Sequence, residues 1–300
     1  MYTRHARNAS VMPIDRIGVI YAHLSPEWSL ALSDFAAWLI AAGMAPSSQR
    51  IRCYHVRRLA EAVHLPPDKL ELDDLVEYFA AQEWAPETRR GNRASIVKFM
   101  TWMHSSGRRP DNPAALLPTV SVPTGSPRPT PEKILRSALI ASSPRTRLMV
   151  SLGAFVGLRR GEIATTRGDA VGEDLDGPVL RVTGKGGHVR VVPLDEGIAE
   201  QITARGPGWT FPGQIDGHLS PAYVGKLVSR VMPEGWTAHS LRHRFASAAY
   251  AHERDIRAVQ ELLGHKSVRT TQMYTAVPDR ARRSAASAAA AGFNHIRDAA

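Results

Sequence analysis

Between Pro110 and Pro131 the chain places seven of its 21 prolines, at 110, 113, 118, 123, 127, 129 and 131. Proline fixes φ and lacks an N–H donor, so no helix continues through such a run. The stretch predicts an extended linker over 110–131, stiffened by its prolines and bearing Arg128, with Arg108 and Arg109 just before it. Two domains of unequal character should flank it, and 300 residues at roughly 150 per domain leave each enough chain for a core.

The part before the linker reads as helix only. Ser25 followed by Pro26 and Glu27 is an N-cap with proline at the first helical position, and Leu30, Phe35, Trp38 and Leu39 form an apolar stripe ending at Gly43. Further helices are predicted at about 48–63, 72–81 and 86–105, the last with Ile96, Phe99, Met100 and Met103 on its apolar face. After an N-terminal extension of residues 1–24, residues 25–109 are thus expected to form a small four-helix domain. Basic side chains recur on its second and fourth helices: Arg50, Arg52, Arg57 and Arg58, then Arg89, Arg90, Arg93 and Lys98.

The part after the linker, 132–300, is mixed. Residues 147–156 have helical spacing, and the β-branched runs 178–183 and 188–194 flank Gly184-Lys185-Gly186-Gly187 as a hairpin. Helices are predicted again at about 222–231, 239–252, 256–263 and 267–274, with an alanine-rich final helix from about 280. In that tail Phe293 and Ile296 share a face, which predicts a knob that needs a pocket, on its own domain or on a neighbouring copy.

Composition removes several classes. A single cysteine, Cys53, excludes an intramolecular disulfide and a thiol-rich zinc site. No apolar run approaches the ~20 residues of a membrane span, and the first residues lack the apolar core of a signal peptide, so a cytoplasmic protein is expected. The formal charge of +10 makes a polyanion the expected partner.

Phosphate-suited groups concentrate in GLRRGEI (157–163), TGKGGHVRVVPL (183–194), HSLRHRF (239–245) and LLGHKSVRTTQMY (262–274), none of which reads as a nucleotide-binding loop. His239 and Arg242, three apart at a predicted helix start, project from one face. His239 and His243 have the spacing of two metal ligands, but the glutamate of an HExxH motif is missing and no metal is expected.

In order and spacing these stretches resemble the tyrosine recombinase, or phage integrase, family across nearly the whole chain. The family's GLR-x-x-E element is Gly157-Leu158-Arg159 with Glu162, its turn lysine is Lys185, and its HxLRH box is His239 to His243. Its LGH element supplies His265, and nine residues on stands Tyr274. Arg244 after the box, and His252-Glu253 in place of a common glycine, depart from the usual pattern. The resemblance implies six catalytic positions: Arg159, Lys185, His239, Arg242, His265 and the nucleophile Tyr274. It implies a multidomain α and α+β fold, in which a SAM-like four-helix core-binding domain precedes a mostly helical catalytic domain with a small antiparallel sheet. The two would clamp duplex DNA, which turns the basic helices, with Arg108 and Arg109, into expected DNA contacts. It also implies a 3′-phosphotyrosyl intermediate and exchange by a homotetramer through a Holliday junction, from protomers that are monomeric without DNA, with room for an accessory DNA-bending protein.

The residue types suit that chemistry. A side-chain hydroxyl conserves phosphodiester energy in a covalent ester, so no cofactor is expected. Planar guanidiniums match phosphate oxygens and stabilise the charge that accumulates on them. Lys185 suits protonation of the departing 5′ oxygen, and His239 suits acceptance of the tyrosine proton. Rival expectations are a type IB topoisomerase and a DNA-binding regulator without catalysis. Within the recombinases, a phage or mobile-element integrase is favoured over a host enzyme that resolves chromosome dimers. The short 24-residue extension fits a two-domain form without an arm-site-binding domain.

Overall fold

A computed structural model describes residues 23–123, 126–184, 187–265 and 271. Lys185, Tyr274, most of the helix expected at 267–274 and the alanine-rich tail lie outside the described residues. The chain divides into two compact units, Met1–Thr124 and Gly125–Ala300.

The described part of the first unit is built from α1 (Pro26–Ala41), α2 (Pro46–Ala62), α3 (Leu72–Ala80) and α4 (Pro86–Ser105). Proline opens α1, α2 and α4, where its missing N–H would have had no helical partner anyway, and Ser25 Oγ accepts from Trp28 N at the head of α1. The apolar stripes meet around Phe35, whose ring stands edge-on to Phe99 at 5.2 Å and tilted to Trp102 at 5.3 Å. Cys53 is fully buried in this core as a small hydrophobe.

The proline-rich stretch is not extended throughout. Pro113–Leu116 forms a 3-10 turn whose Pro113 and Ala114 are buried, with Leu117, against the first unit. At its other end Thr130 pairs with the second unit, donating N–H to Ser240 O at 3.1 Å and meeting Ser240 Oγ at 3.0 Å. Arg128 lies over the Trp236 ring at 4.2 Å.

The second unit runs α5 (Glu132–Ala141), α6 (Pro144–Ala154), α7 (Arg160–Ala164), β1 (Val171–Asp174), β2 (Gly177–Thr183), β3 (Val189–Pro193), α8 (Glu196–Thr203), α9 (Pro221–Arg230), α10 (Ala238–Glu253) and α11 (Ile256–Leu263). The strands form a small antiparallel sheet in the order β1-β2-β3, in register at Val171 with Leu180, Leu180 with Val192, and Val182 with Arg190. Leu180, Val182 and Val192 enter the core, so the register places Arg190 on the same inward face, while Val189 and Val191 are exposed. The core is completed chiefly by α6, lying between α10 and the helices before the sheet. Among the described residues no helix is long and apolar enough to cross a membrane.

Candidate active site

The site is assembled at three helix ends. Gly157 precedes α7 with φ +72, and a β-carbon there would lie 2.4 Å from the Phe245 ring, so only glycine fits. Its carbonyl accepts from Arg242 Nη1 at 2.5 Å. Arg159 is the N-cap of α7, and Glu162, three residues on, reaches back to accept its backbone N–H at 2.9 Å, half of a capping box. The same carboxylate accepts from Arg159 Nη1 at 2.8 Å.

Glu162 is the hub of the cluster. Arg190 binds it as a fork, Nη1 to Oε1 at 2.9 Å and Nη2 to Oε2 at 2.8 Å, and Arg242 Nη1 stands 3.8 Å from Oε2. Burial would raise the carboxyl, but hydrogen bonds from Arg190 and from the Arg159 N–H, with the Arg190 charge, hold it at about 2. Three guanidiniums around one carboxylate leave a surplus of positive charge for an anion.

Thr237 caps α10, accepting from His239 N at 3.2 Å, and the first turns of that helix carry His239, Arg242 and His243. Arg242 is only 2% exposed, and its Nη2 donates to Leu263 O at the end of α11 and to His265 Nε2 at 3.2 Å. Gly264 ends α11 in the left-handed region at φ +61, turning the chain so that His265 faces this guanidinium. Gln260 Nε2 holds the His265 carbonyl at 2.9 Å, and Thr271 Oγ1 meets His265 Nδ1 at 3.0 Å.

The imidazoles are poised to be uncharged. Burial, then the charges of Arg242 and Arg159, lower the His265 pKa to about 4 and act in the same direction on His239. His243, whose ring meets that of His239 at 4.2 Å between centroids, is lowered to about 4 by burial, His239 and Arg242. Among the described residues no group of His, Cys, Asp or Glu is arranged to hold a metal ion.

Of the residues singled out from sequence, Arg159, His239, Arg242 and His265 gather at this site. Lys185 and Tyr274 fall outside the described residues, although Gly184 is placed at the cluster, where an added β-carbon would stand 3.5 Å from Glu162 Oε1. Arg190 was missed. Its signal was an arginine sharing the inward parity of Val192 and Leu194, which demands a buried anion. The basic residues of the first unit sort into two kinds. Arg52, Arg89, Arg93 and Arg109 donate to backbone carbonyls within the unit, and Arg109 is 5% exposed, between Pro67 O and Asp111. Arg50, Arg58, Arg90 and Arg108 are exposed, with Arg90 paired to Glu87 and Arg108 to Asp34, while Arg57 pairs with Glu61 and Lys98 lies over the Trp38 ring.

Guanidiniums converging beside neutral imidazoles, at helix ends braced by a small sheet, make an anion pocket with proton acceptors at its rim, the equipment of a phosphoryl-transfer enzyme. The profile of the phage integrase family matches residues 131–280, which include every one of these groups. Tyrosine recombinase XerD of Xanthomonas campestris pv. campestris is 32% identical over 240 residues, covering 70% of this chain and 74% of that protein. Tyrosine recombinase XerC of Chromohalobacter salexigens is 34% identical over 216 residues, covering 64% and 70%. A lambda integrase dimer bound to a core site shares the fold at a TM-score of 0.67 and 16% identity, over 82% of this chain and 76% of that one. The chain belongs to the phage integrase family and is a tyrosine-type site-specific recombinase.

Proposed function

We propose that this recombinase binds duplex DNA at specific sites and cuts and rejoins each strand through a covalent bond to Tyr274. The reading is supported above all by the convergence of Arg159, Arg242, His239 and His265 on one pocket.

Tyr274 Oη attacks the scissile phosphorus, the P–O5′ bond breaks, and a 3′-phosphotyrosyl ester and a 5′ hydroxyl result. Ionising a free tyrosine at pH 7 costs roughly 4 kcal/mol, so the proton must be taken as attack proceeds. His239, with its pKa lowered, is neutral and accepts it. Lys185 gives a proton to the departing 5′ oxygen. Arg159 and Arg242 bind the non-bridging oxygens, where a second negative charge develops in the transition state. Neutral His265 orients Arg242 without adding charge. Attack by a 5′ hydroxyl from the partner strand reverses the steps and rejoins DNA with no cofactor.

In this reading the helical first unit is a SAM-like core-binding domain, and the exposed Arg50, Arg58, Arg90 and Arg108 lead its phosphate contacts. The working assembly is a homotetramer on DNA. The XerC and XerD relatives favour a host, chromosome-dimer-resolving role over the integrase role expected from sequence, while the family's own description keeps integration as the second reading.

The test is covalent trapping on DNA in cells, followed by sequencing of what remains attached. Adduct at Tyr274, lost in Tyr274→Phe while DNA binding persists, is expected. Adduct at Tyr250 or Tyr223, or none, overturns the mechanism. Trapped DNA from a single chromosomal site marks the host role, and paired chromosomal and element sites mark integration.

A further inference from the structure

We infer that Arg190 is a positioning residue for this chemistry: from β3 its side chain fixes the strand pair that carries Lys185 against the pocket of Arg159, Arg242 and His265. The inference rests on the proposed function and assigns a role outside its six catalytic positions.

In sequence Lys185 stands between β2 and β3, and beyond Leu180 these strands run past β1 as a pair, an arrangement that pairing alone holds weakly. Arg190, five residues further on, supplies an anchor. Its side chain is 11% exposed and uses its donors in two directions, the fork to Glu162 and Nε to Leu262 O at 2.8 Å. The carboxylate it grips is the one that holds the backbone and guanidinium of Arg159. The carbonyl it grips lies near the end of α11, three residues before His265.

Glycines flank the guanidinium on both sides. A β-carbon on Gly184, the residue before Lys185, would stand 3.7 Å from Arg190 Nη1. One on Gly264, the residue before His265, would stand 3.0 Å from Arg190 Cδ and 3.3 Å from Nη1. The Arg190 side chain therefore lies directly against the main chain leading into two catalytic residues, and is joined through one carboxylate to a third. Only a planar fork with a further Nε donor can make these bonds together; a lysine ammonium would satisfy them one at a time. Arg159 has two bonds of its own to Glu162, from its backbone N–H and from Nη1, that do not pass through Arg190. The residue most exposed to that loss is therefore Lys185.

The test compares full-length Arg190→Gln and Arg190→Lys with Lys185→Ala on duplexes carrying the site recovered by trapping, with oxygen or sulfur at the bridging 5′ position. Sulfur leaves as a thiolate and needs no acid. Both Arg190 variants should bind the duplex normally and lose up to about a hundredfold in cleavage on oxygen, the scale of a misplacement of about 1 Å. On sulfur they should recover, as Lys185→Ala does. Hydrogen exchange over residues 184–189 should quicken while α8 stays unchanged. Equal losses on oxygen and sulfur, with Lys185→Ala rescued, overturn the positioning role and leave the acid role standing. Failure to rescue Lys185→Ala overturns the acid role, and the exchange result then decides for or against Arg190 alone. Should neither Arg190 variant fold, the residue is a strut of the core and the inference is wrong.

Discussion

Arg242 donates from Nη2 to Nε2 of His265 across 3.2 Å, joining residues 23 apart in sequence. A guanidinium has no lone pair to offer, so Nε2 is the accepting nitrogen and the imidazole proton sits on Nδ1, facing Thr271 Oγ1 at 3.0 Å. One ring thus holds the buried arginine in place and stays neutral, and protonating it would set two cations against each other.

That arrangement makes stability depend on pH. His243 and His265 fall from 6.5 to about 4 on folding, so below 6.5 the unfolded chain takes up protons that the folded chain refuses. Their contribution is complete above pH 6.5 and is lost as pH falls towards 4; Glu162, lowered from 4.5 to about 2, extends the loss below 4.5. The urea midpoint should decline steadily from pH 7 to 4, and less steeply in His243→Asn. A flat midpoint across that range in the unaltered protein would contradict the buried, neutral imidazoles.

Gly157→Ala should be among the most disruptive small changes. The left-handed backbone costs an alanine about 1 kcal/mol or more, and the collision with Phe245 adds to it. Gly43 has a similar φ of +66 with nothing near its would-be β-carbon, so Gly43→Ala measures strain alone. Denaturation of the two variants should differ by about 1–3 kcal/mol, the cost of overpacking. Adding Phe245→Leu should restore part of that difference.

Glu162→Gln removes the carboxylate that lies beside Arg190 and Arg242. Breaking a buried ion pair from one side costs about 3–5 kcal/mol, since the remaining charge stays buried. Adding Arg190→Met should recover part of the stability, a coupling that a double-mutant cycle in urea would read directly. Cleavage should not recover with it, because Arg159 has still lost its anchor.

Because the positive charge comes from side chains, cleavage should proceed fully in excess EDTA. Activity lost with EDTA and restored by a divalent cation would bring the His239 and His243 pair back as metal ligands.

Helices with a marked head and a clear stripe were legible: α4 spans Pro86–Ser105 behind a leading proline, and α11 spans Ile256–Leu263 behind the capping Asp255, as the spacing predicts. Among the missed elements, α8 (Glu196–Thr203) followed the hairpin without being read as a helix, and others were too short for a period to show. α7 has five residues, and β1 is an exposed four-residue strand of Val-Gly-Glu-Asp. α5 begins directly after Pro131, where the predicted linker ends, and has no capping side chain to mark its start. At the site, motif order located Arg159, His239, Arg242 and His265, but the bond between Arg190 and Glu162 joins residues 28 apart through the register of β3. No local pattern carries a register. The burial of Arg109 was likewise invisible, because a basic residue beside a proline run reads the same whether it faces solvent or the Pro67 carbonyl.

Cys53 is the chain's one thiol, and α2 seals it wholly inside the first unit. To a maleimide dye the native protein therefore presents no target. A cysteine placed at exposed Leu116 or Leu175 would be the sole reactive sulfur at the surface. One dye on each unit would turn the chain into its own ruler, reporting by energy transfer the separation of the two units with and without DNA.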